Sequence, residues 1–397
     1  MAAEGVELLA DLDRLAILGF AEVVRHLPDL AGLRREVRQF LLAQKIDLLV
    51  PIDYPGFNLP LARYAKRNGI SVLYYIAPQV WAWHESRARK LAEDTDLVCV
   101  VLPFEEDRLA GWGVRTRFVG HPLLDRDAPG TSAAPGPHAE PRIGIFPGSR
   151  MQEVRRLLPT FLQAGRELSS RLSGLEIVVA RAQDLPDSAY AGLGNATLVD
   201  AETAIRSASA AITKSGTITL QLALAGVPMV VGYRVNALTY HIARRLVRVD
   251  HIALVNLVAE RGVVPEFIQG DVTPARMAEA ALPLLDSETP ERRAQVAGLR
   301  EVAVRLGDPG AAGRVAEECS RLLAVRAESS RSTSLCSRRS TSGRPSSWGL
   351  VARGASGRSS PTEVRRRVAI ERGRASTRCG TPSNSRSHSA TVRRTSR

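Results

Sequence analysis

The sequence is poor in cysteine and has no long apolar run. Four cysteines (Cys99, Cys319, Cys336 and Cys379) stand far apart, with no CxxC spacing and no Cys/His pairing. That excludes a disulfide framework and a zinc site of ordinary spacing, and it fits a reducing compartment. No apolar run reaches the roughly 18 residues of a spanning helix. Met1-Ala-Ala-Glu-Gly leads into no basic segment followed by an apolar core, so no signal peptide is expected. Neither GxGxxG nor GxxxxGK[ST] occurs, which disfavours dinucleotide redox chemistry and P-loop ATP hydrolysis. No His/Cys/Asp cluster has metal-ligand spacing, so neither a metal nor a cofactor is expected.

Charge is plentiful but unevenly spread. The formal net charge is +13, yet the stretch from Arg326 to Arg397 holds 17 Arg, no Lys and 3 acidic side chains, a net of +14. The chain from Met1 to Val325 therefore carries −1. A nucleic-acid role is not expected for the folded part. The stretch after Val325 also includes 18 Ser, few aliphatics and no helical or strand period. It reads as a disordered tail that cannot bury enough surface to offset ordering entropy. Two accounts compete for this tail, an arginine-rich arm binding nucleic acid or anionic lipid, or a stretch read in a shifted frame. The abrupt change and the absence of Lys favour the second.

Between these limits, apolar strands alternate with helices, which indicates parallel sheets covered on both faces. Strands are expected at 46–52, 71–76, 97–102 and 116–119, with helices at 27–44, 57–67, 85–92 and 104–110. A run holding four Pro and two Gly, 125–141, reads as a linker. A second series of strands follows at 143–146, 175–180, 196–199, 210–213 and 228–231. Its helices are expected at 151–172, 217–225, 237–247, 274–285, 290–306 and 310–325. Pro159 should kink the first of these or split it. The domains are thus 1–124, a linker 125–141, 142–325, and the tail 326–397. The first domain reads as lacking its leading βα unit.

Four stretches could carry chemistry, and a fifth organises them. In 144–153, GIFPGSRMQE, a strand turns through Gly148-Ser149-Arg150 into a helix. Free N–H groups of the first turn attract an anion and a guanidinium grips a phosphate, although such a junction also serves simply to turn and cap. Asp53, in IDYPGFN, follows a strand end, where a carboxylate could act as general base or could cap the next helix. Trp81 and Trp83, in APQVWAWH, could form a substrate platform or a core wedge. His121, in FVGHP, could move a proton, touch a phosphate or be structural. The run KSGTITLQ at 214–221 makes a second strand–Ser-Gly-Thr–helix junction, so two such loops could hold a diphosphate and a ribose.

The blocks LAILGFAEV, IDYPGFN, APQVWAW, LPFE, FVGHP, FPGSRMQEV, the SGT loop, PMVVGY and VNLVAERGVVPEFIQ occur in the order found in lipid-A-disaccharide synthases. The chain resembles that family over nearly all of the stretch from Met1 to about Val325. The resemblance implies an α/β chain with two facing Rossmann-like domains, the arrangement called GT-B, and an inverting, metal-independent glycosyltransferase. It would join UDP-2,3-diacylglucosamine to 2,3-diacylglucosamine 1-phosphate, forming a β-1,6 disaccharide and releasing UDP. By motif, Asp53 and Arg150 would be catalytic. Gly148, Ser149, Glu153, Ser215, Gly216, Thr217, Gln221 and Asn256 would bind substrate. Gln221 departs from the glutamate usual in the family, which would weaken its hold on ribose hydroxyls. The family's opening strand and Gly-Glu-x-Ser-Gly-Asp loop are not matched. A lipid substrate implies a peripheral enzyme on the cytoplasmic face of the inner membrane. The run 236–250, NALTYHIARRLVRVD, suits a helix resting on anionic lipid or a core helix with a basic edge. The resemblance leaves a homodimer open. The rival readings are another UDP-sugar transferase or epimerase, and an inactive truncated product.

Overall fold

The computed structural model describes residues 27–79, 85–126, 140–236 and 250–339. Two parallel sheets dominate it. The first joins β1 (Leu48–Leu49), β2 (Ser71–Tyr75), β3 (Leu97–Val100) and β4 (Thr116–Phe118), in that order. The second joins β5 (Arg142–Phe146), β6 (Glu176–Arg181), β7 (Thr197–Asp200), β8 (Ala210–Lys214), β9 (Met229–Tyr233) and β10 (Glu266–Ile268), in the order β10-β9-β8-β5-β6-β7. The strands read from sequence as short apolar runs because both faces of a parallel sheet are covered, and all four residues of β3 are buried. Two Rossmann-like sheets were expected, and two are present.

The order of the second sheet matters for function. The direction in which strands are added reverses between β5 and β8, which pair side by side with Phe146 opposite Thr213. In open α/β sheets, ligands bind beyond the carboxyl ends of the strands at such a point. Both predicted loops leave the sheet there.

Around the first sheet lie α1 (Leu27–Ala43), α2 (Pro55–Arg67), α3 (Glu85–Asp94), α4 (Pro103–Ala110) and the short α5 (Leu123–Arg126). Around the second lie α6 (Met151–Arg171), α7 (Ala201–Ser207), α8 (Ile218–Leu224), α9 (Leu254–Ala259), α10 (Pro274–Ala281) and α11 (Pro290–Arg305). Helix α6 is continuous through Pro159 and is not split. A mid-helix proline costs about 3 kcal/mol, which burial of Val154, Leu157, Leu158, Phe161 and Leu162 on one face outweighs. The expected strand 46–52 shrinks to Leu48–Leu49, with one further bridge from Ile52 to Tyr75. Pro51 has no N–H to give the ladder, and the chain turns at Asp53. The expected helix 274–285 ends as a 3₁₀ turn over Leu282–Leu285, where Pro283 again lacks a donor.

The last helix departs furthest from expectation. Instead of closing the second half at 325, α12 (Ala311–Arg339) returns to the first sheet and packs on β2. Its apolar residues Val315 and Cys319 share a core with Leu73, Cys99 and Val119. The Asp125 carboxylate accepts the Gly310, Ala311 and Ala312 N–H groups at 2.5, 3.1 and 3.2 Å. The Arg314 guanidinium donates to the Val119, Pro309 and Asp308 carbonyls. The helix also passes the expected tail boundary, because neither Gly nor Pro occurs between Gly313 and Gly343 to end it. Five readings fall outside the described residues: the LAILGFAEV block near the start, the Trp81 and Trp83 stretch, most of the linker, the helix 237–247, and the rest of the tail from 340.

Candidate functional site

The first loop is built around Gly148. Its φ of +122° suits glycine alone, and a Cβ there would lie 2.5 Å from Glu153 Oε2 and 2.7 Å from Glu153 Cβ. That close approach lets the Glu153 carboxylate fold back over the loop, where Oε2 accepts the Ser149 N–H at 3.1 Å. Arg150 is the N-cap residue of α6 and carries no side-chain cap of its own. Its side chain is 66% exposed, with Nη1 3.9 Å from Glu153 Oε1. An exposed arginine and a helix N-terminus thus stand together at this loop, the chemistry that attracts a diphosphate.

The second loop enters the same space. Lys214 ends β8, and its Nζ lies 3.0 Å from Glu153 Oε1. Ser215 is buried and donates its hydroxyl to the Ile252 carbonyl at 2.8 Å. Gly216 accepts from the Thr219 N–H and hydroxyl, Thr217 is exposed at the head of α8, and Gln221 is half-buried one turn on. Tyr233, half-buried at the end of β9, lies near the same charges. Burial and the Glu153 carboxylate push its phenol up, while Arg150 acts in the opposite sense. Of the predicted residues, the structure brings together Gly148, Ser149, Arg150 and Glu153 with the Ser215–Thr217 loop through Lys214.

Asn256 lies apart from this opening. It is 1% exposed and fully engaged, donating to the Val264 carbonyl and Glu266 Oε1 and accepting the Val263 and Val264 N–H groups. Glu266 in turn accepts the Ile252 and Ala253 N–H groups. Asn256 therefore braces, through Glu266, the segment that Ser215 touches, and its amide is fully used within the fold.

On the first sheet, Asp53 and Tyr54 both adopt the left-handed region, with φ of +47° and +42°. For two successive non-glycine residues this costs of order 1–3 kcal/mol each. The conformation is held by Asn58, whose amide donates to the Ile52 and Asp53 carbonyls at 3.0 and 2.7 Å, and by the Tyr74 hydroxyl, which donates to the Asp53 carbonyl at 2.7 Å. Burial, and then the nearby Asp53 charge, push the Tyr74 phenol well up, so it remains a donor. Asp53 does not cap α2, whose N-cap residue is Tyr54. Among the described residues the exposed Asp53 carboxylate has no hydrogen-bond or ion-pair partner.

His121 is structural in character. Its ring is buried, Nδ1 accepts the Leu123 N–H at 3.2 Å, and burial pushes its pKa down to about 4. Trp81, Trp83 and His84 lie outside the described residues. Among the described residues, no group of three or more His, Cys, Asp or Glu side chains is arranged to hold a metal.

Comparison with known proteins decides the family. The family model described as lipid-A-disaccharide synthetase matches residues 1–307. The lipid-A-disaccharide synthase of Anaeromyxobacter sp. (strain K) is 41% identical over 327 residues, covering 79% of this chain and 85% of that protein. That of Geobacter sulfurreducens is 40% identical over 332 residues, covering 80% and 85%. This chain belongs to the lipid-A-disaccharide synthase family. It is a glycosyltransferase of lipid A biosynthesis, acting on lipid A precursors. Solved structures carry the fold alone. A UDP-GlcNAc 2-epimerase from Neisseria meningitidis bound to UDP-GlcNAc has a TM-score of 0.52 at 11% identity, covering 77% of this chain and 83% of that one. Glycyrrhiza uralensis UGT73P12 has a TM-score of 0.53 at 10% identity, covering 81% of each. Both agree with a GT-B-like arrangement.

For a lipid-A-disaccharide synthase, two groups of this loop pair, Lys214 and Tyr233, stood inside the runs KSGTITLQ and PMVVGY but were given no role from sequence. Lys214 carried a signal, since it directly precedes the SGT loop at a strand end. Tyr233 carried none beyond the end of an apolar run.

Proposed function

We propose that the chain transfers a 2,3-diacylglucosaminyl group from UDP to the 6-hydroxyl of 2,3-diacylglucosamine 1-phosphate, with inversion and without a metal. The acceptor O6–H proton passes to the Asp53 carboxylate as O6 bonds to the donor C1. The bond from C1 to the diphosphate oxygen breaks on the opposite face, and its electron pair leaves on UDP. The diphosphate then bears one more negative charge than in the ground state. A guanidinium and a helix N-terminus aimed at it bind the transition state more tightly than the substrate.

The observation that carries this reading is the junction of the two loops, where Glu153 and Lys214 meet at 3.0 Å at the switch point of the second sheet. The unpartnered Asp53 carboxylate, held out by a strained turn, supports the role of base. Gly148 and Ser149 would take one phosphate, and Ser215, Gly216 and Thr217 the other, with Gln221 near the ribose. The enzyme works as a peripheral protein at the cytoplasmic face of the inner membrane. Its lipid substrates require such a surface, and among the described residues no helix is long and apolar enough to cross a membrane.

The test is UDP release from the two acylated substrates. Arg150→Ala should lower kcat by about 10²–10³-fold, and Asp53→Asn by about 10²–10⁴-fold, with folding unchanged by circular dichroism. Parent-like rates from both variants would overturn the reading.

A further inference from the structure

We infer that Lys214 is a second diphosphate-binding cation of this site, and that Glu153 is the carboxylate occupying the anion seat until the nucleotide arrives. The inference rests on the reading of the cleft as a UDP-sugar site, and it begins from charge. Arg150 and Glu153 alone sum to zero, so an arginine with that neighbour offers an incoming diphosphate little net attraction. Lys214 brings the cluster to +1, and it enters from a different strand. Its side chain is 20% exposed and that of Glu153 19%, against 66% for Arg150. The lysine and the carboxylate therefore form the inner part of the cluster, and the arginine its exposed outer edge.

The surroundings are shaped for an ammonium. A Cβ on Gly216 would sit 3.3 Å from Lys214 Nζ, so the glycine leaves the space that the charged end uses. The chain has four lysines among 54 basic residues, and this one stands where a compact point charge fits and a planar fork would be crowded. Glu153 meanwhile engages what a phosphate oxygen would seek. Oε2 accepts the Ser149 N–H, and Oε1 faces both Lys214 Nζ and Arg150 Nη1. A diphosphate offers more charge than one carboxylate, so it displaces Glu153 from these donors. As the glycosidic bond breaks, the extra charge on UDP falls where Lys214 already waits.

The plain alternative is a salt bridge that only fastens β8 to α6. Affinities for UDP and for uridine, measured by calorimetry on the full chain, separate the two. In Lys214→Met the UDP dissociation constant should rise about 10–100-fold while that for uridine stays within twofold, and kcat/KM should fall with it. Lys214→Arg should recover part of the UDP affinity, limited by crowding at Gly216. If Lys214→Met binds UDP as the parent does while Arg150→Ala does not, the lysine is structural and the inference fails with the proposed function intact. If neither variant loses UDP, the proposed function fails as well. Should Lys214→Met not fold, Glu153→Gln decides. Removing the placeholder's charge should tighten UDP several-fold and leave uridine alone, and unchanged or weakened UDP binding overturns the inference.

Discussion

Asp125 ties together segments 185 residues apart, and removing it should loosen the start of α12. Its two carboxylate oxygens accept three successive N–H groups, from Gly310, Ala311 and Ala312, donors that a helix start cannot satisfy internally. Loss of an N-cap carboxylate costs about 0.5–2 kcal/mol. Its negative charge at the positive end of a long helix adds about 0.3–1 kcal/mol. Ala311 is fully buried, so its N–H would find no water in exchange. Asp125→Ala should therefore destabilise by about 2–3 kcal/mol. Asp125→Asn, which keeps one acceptor oxygen, should cost about half as much. Urea denaturation followed by circular dichroism gives the stability, and hydrogen exchange at residues 310–312 gives the location. Protection there should fall in the alanine variant while exchange in α6 stays put. If Asp125→Ala lies within about 0.5 kcal/mol of the parent, a bound set by the weakest caps, and exchange at 310–312 is unchanged, the contact holds nothing.

His121 predicts a pH dependence. Burial lowers its pKa to about 4 from 6.5, so between those values the unfolded chain binds a proton that the folded chain refuses. Stability should fall as pH drops through that window, by about 2 kcal/mol from pH 7 to pH 5 for this group. The stability gap between parent and His121→Gln should narrow by that amount, and an equal gap at both pH values would contradict it. Asn256→Leu should cost about 3–5 kcal/mol, because it orphans the Val263 and Val264 amides and takes one of two donors from Glu266 Oε1. A variant as stable as the parent but weak in UDP binding would show that Asn256 serves the ligand directly.

Much of this architecture was legible because parallel strands buried on both faces write themselves as unbroken apolar runs, as at 97–100 and 210–213. The same logic overlooked β10, three half-buried residues with no such run, and α7, seven residues whose main signal is Asp200 accepting the Thr203 N–H at 2.8 Å. The return of α12 was hidden because nothing local says which sheet an apolar stripe will meet. The loops at Gly148 and Ser215 were legible as junctions of strand and helix. That the two loops share one crevice was expected from their likeness, but the contact that joins them, Glu153 with Lys214, was not, since β5 and β8 are separated by two strands in the chain and become neighbours only through the crossover. The left-handed pair at Asp53 and Tyr54 was invisible too, because neither residue is the glycine that would advertise it.

Sheet topology also bears on how the proposed mechanism divides acid–base from electrostatic work. Asp53, Arg150 and Lys214 each stand at or just beyond the carboxyl end of a parallel strand, but the carboxylate belongs to the first sheet and the two cations to the second. A carboxylate beside two cations is a poor base, because their charge favours its ionised form over the protonated one. Glu153 occupies just that position, between Arg150 and Lys214. Asp53 has no cation paired with it among the described residues, and its carboxylate is open to an incoming hydroxyl. On the proposed mechanism, one sheet carrying all four groups would set the proposed base beside the proposed diphosphate-binding cations, which two separate sheets avoid.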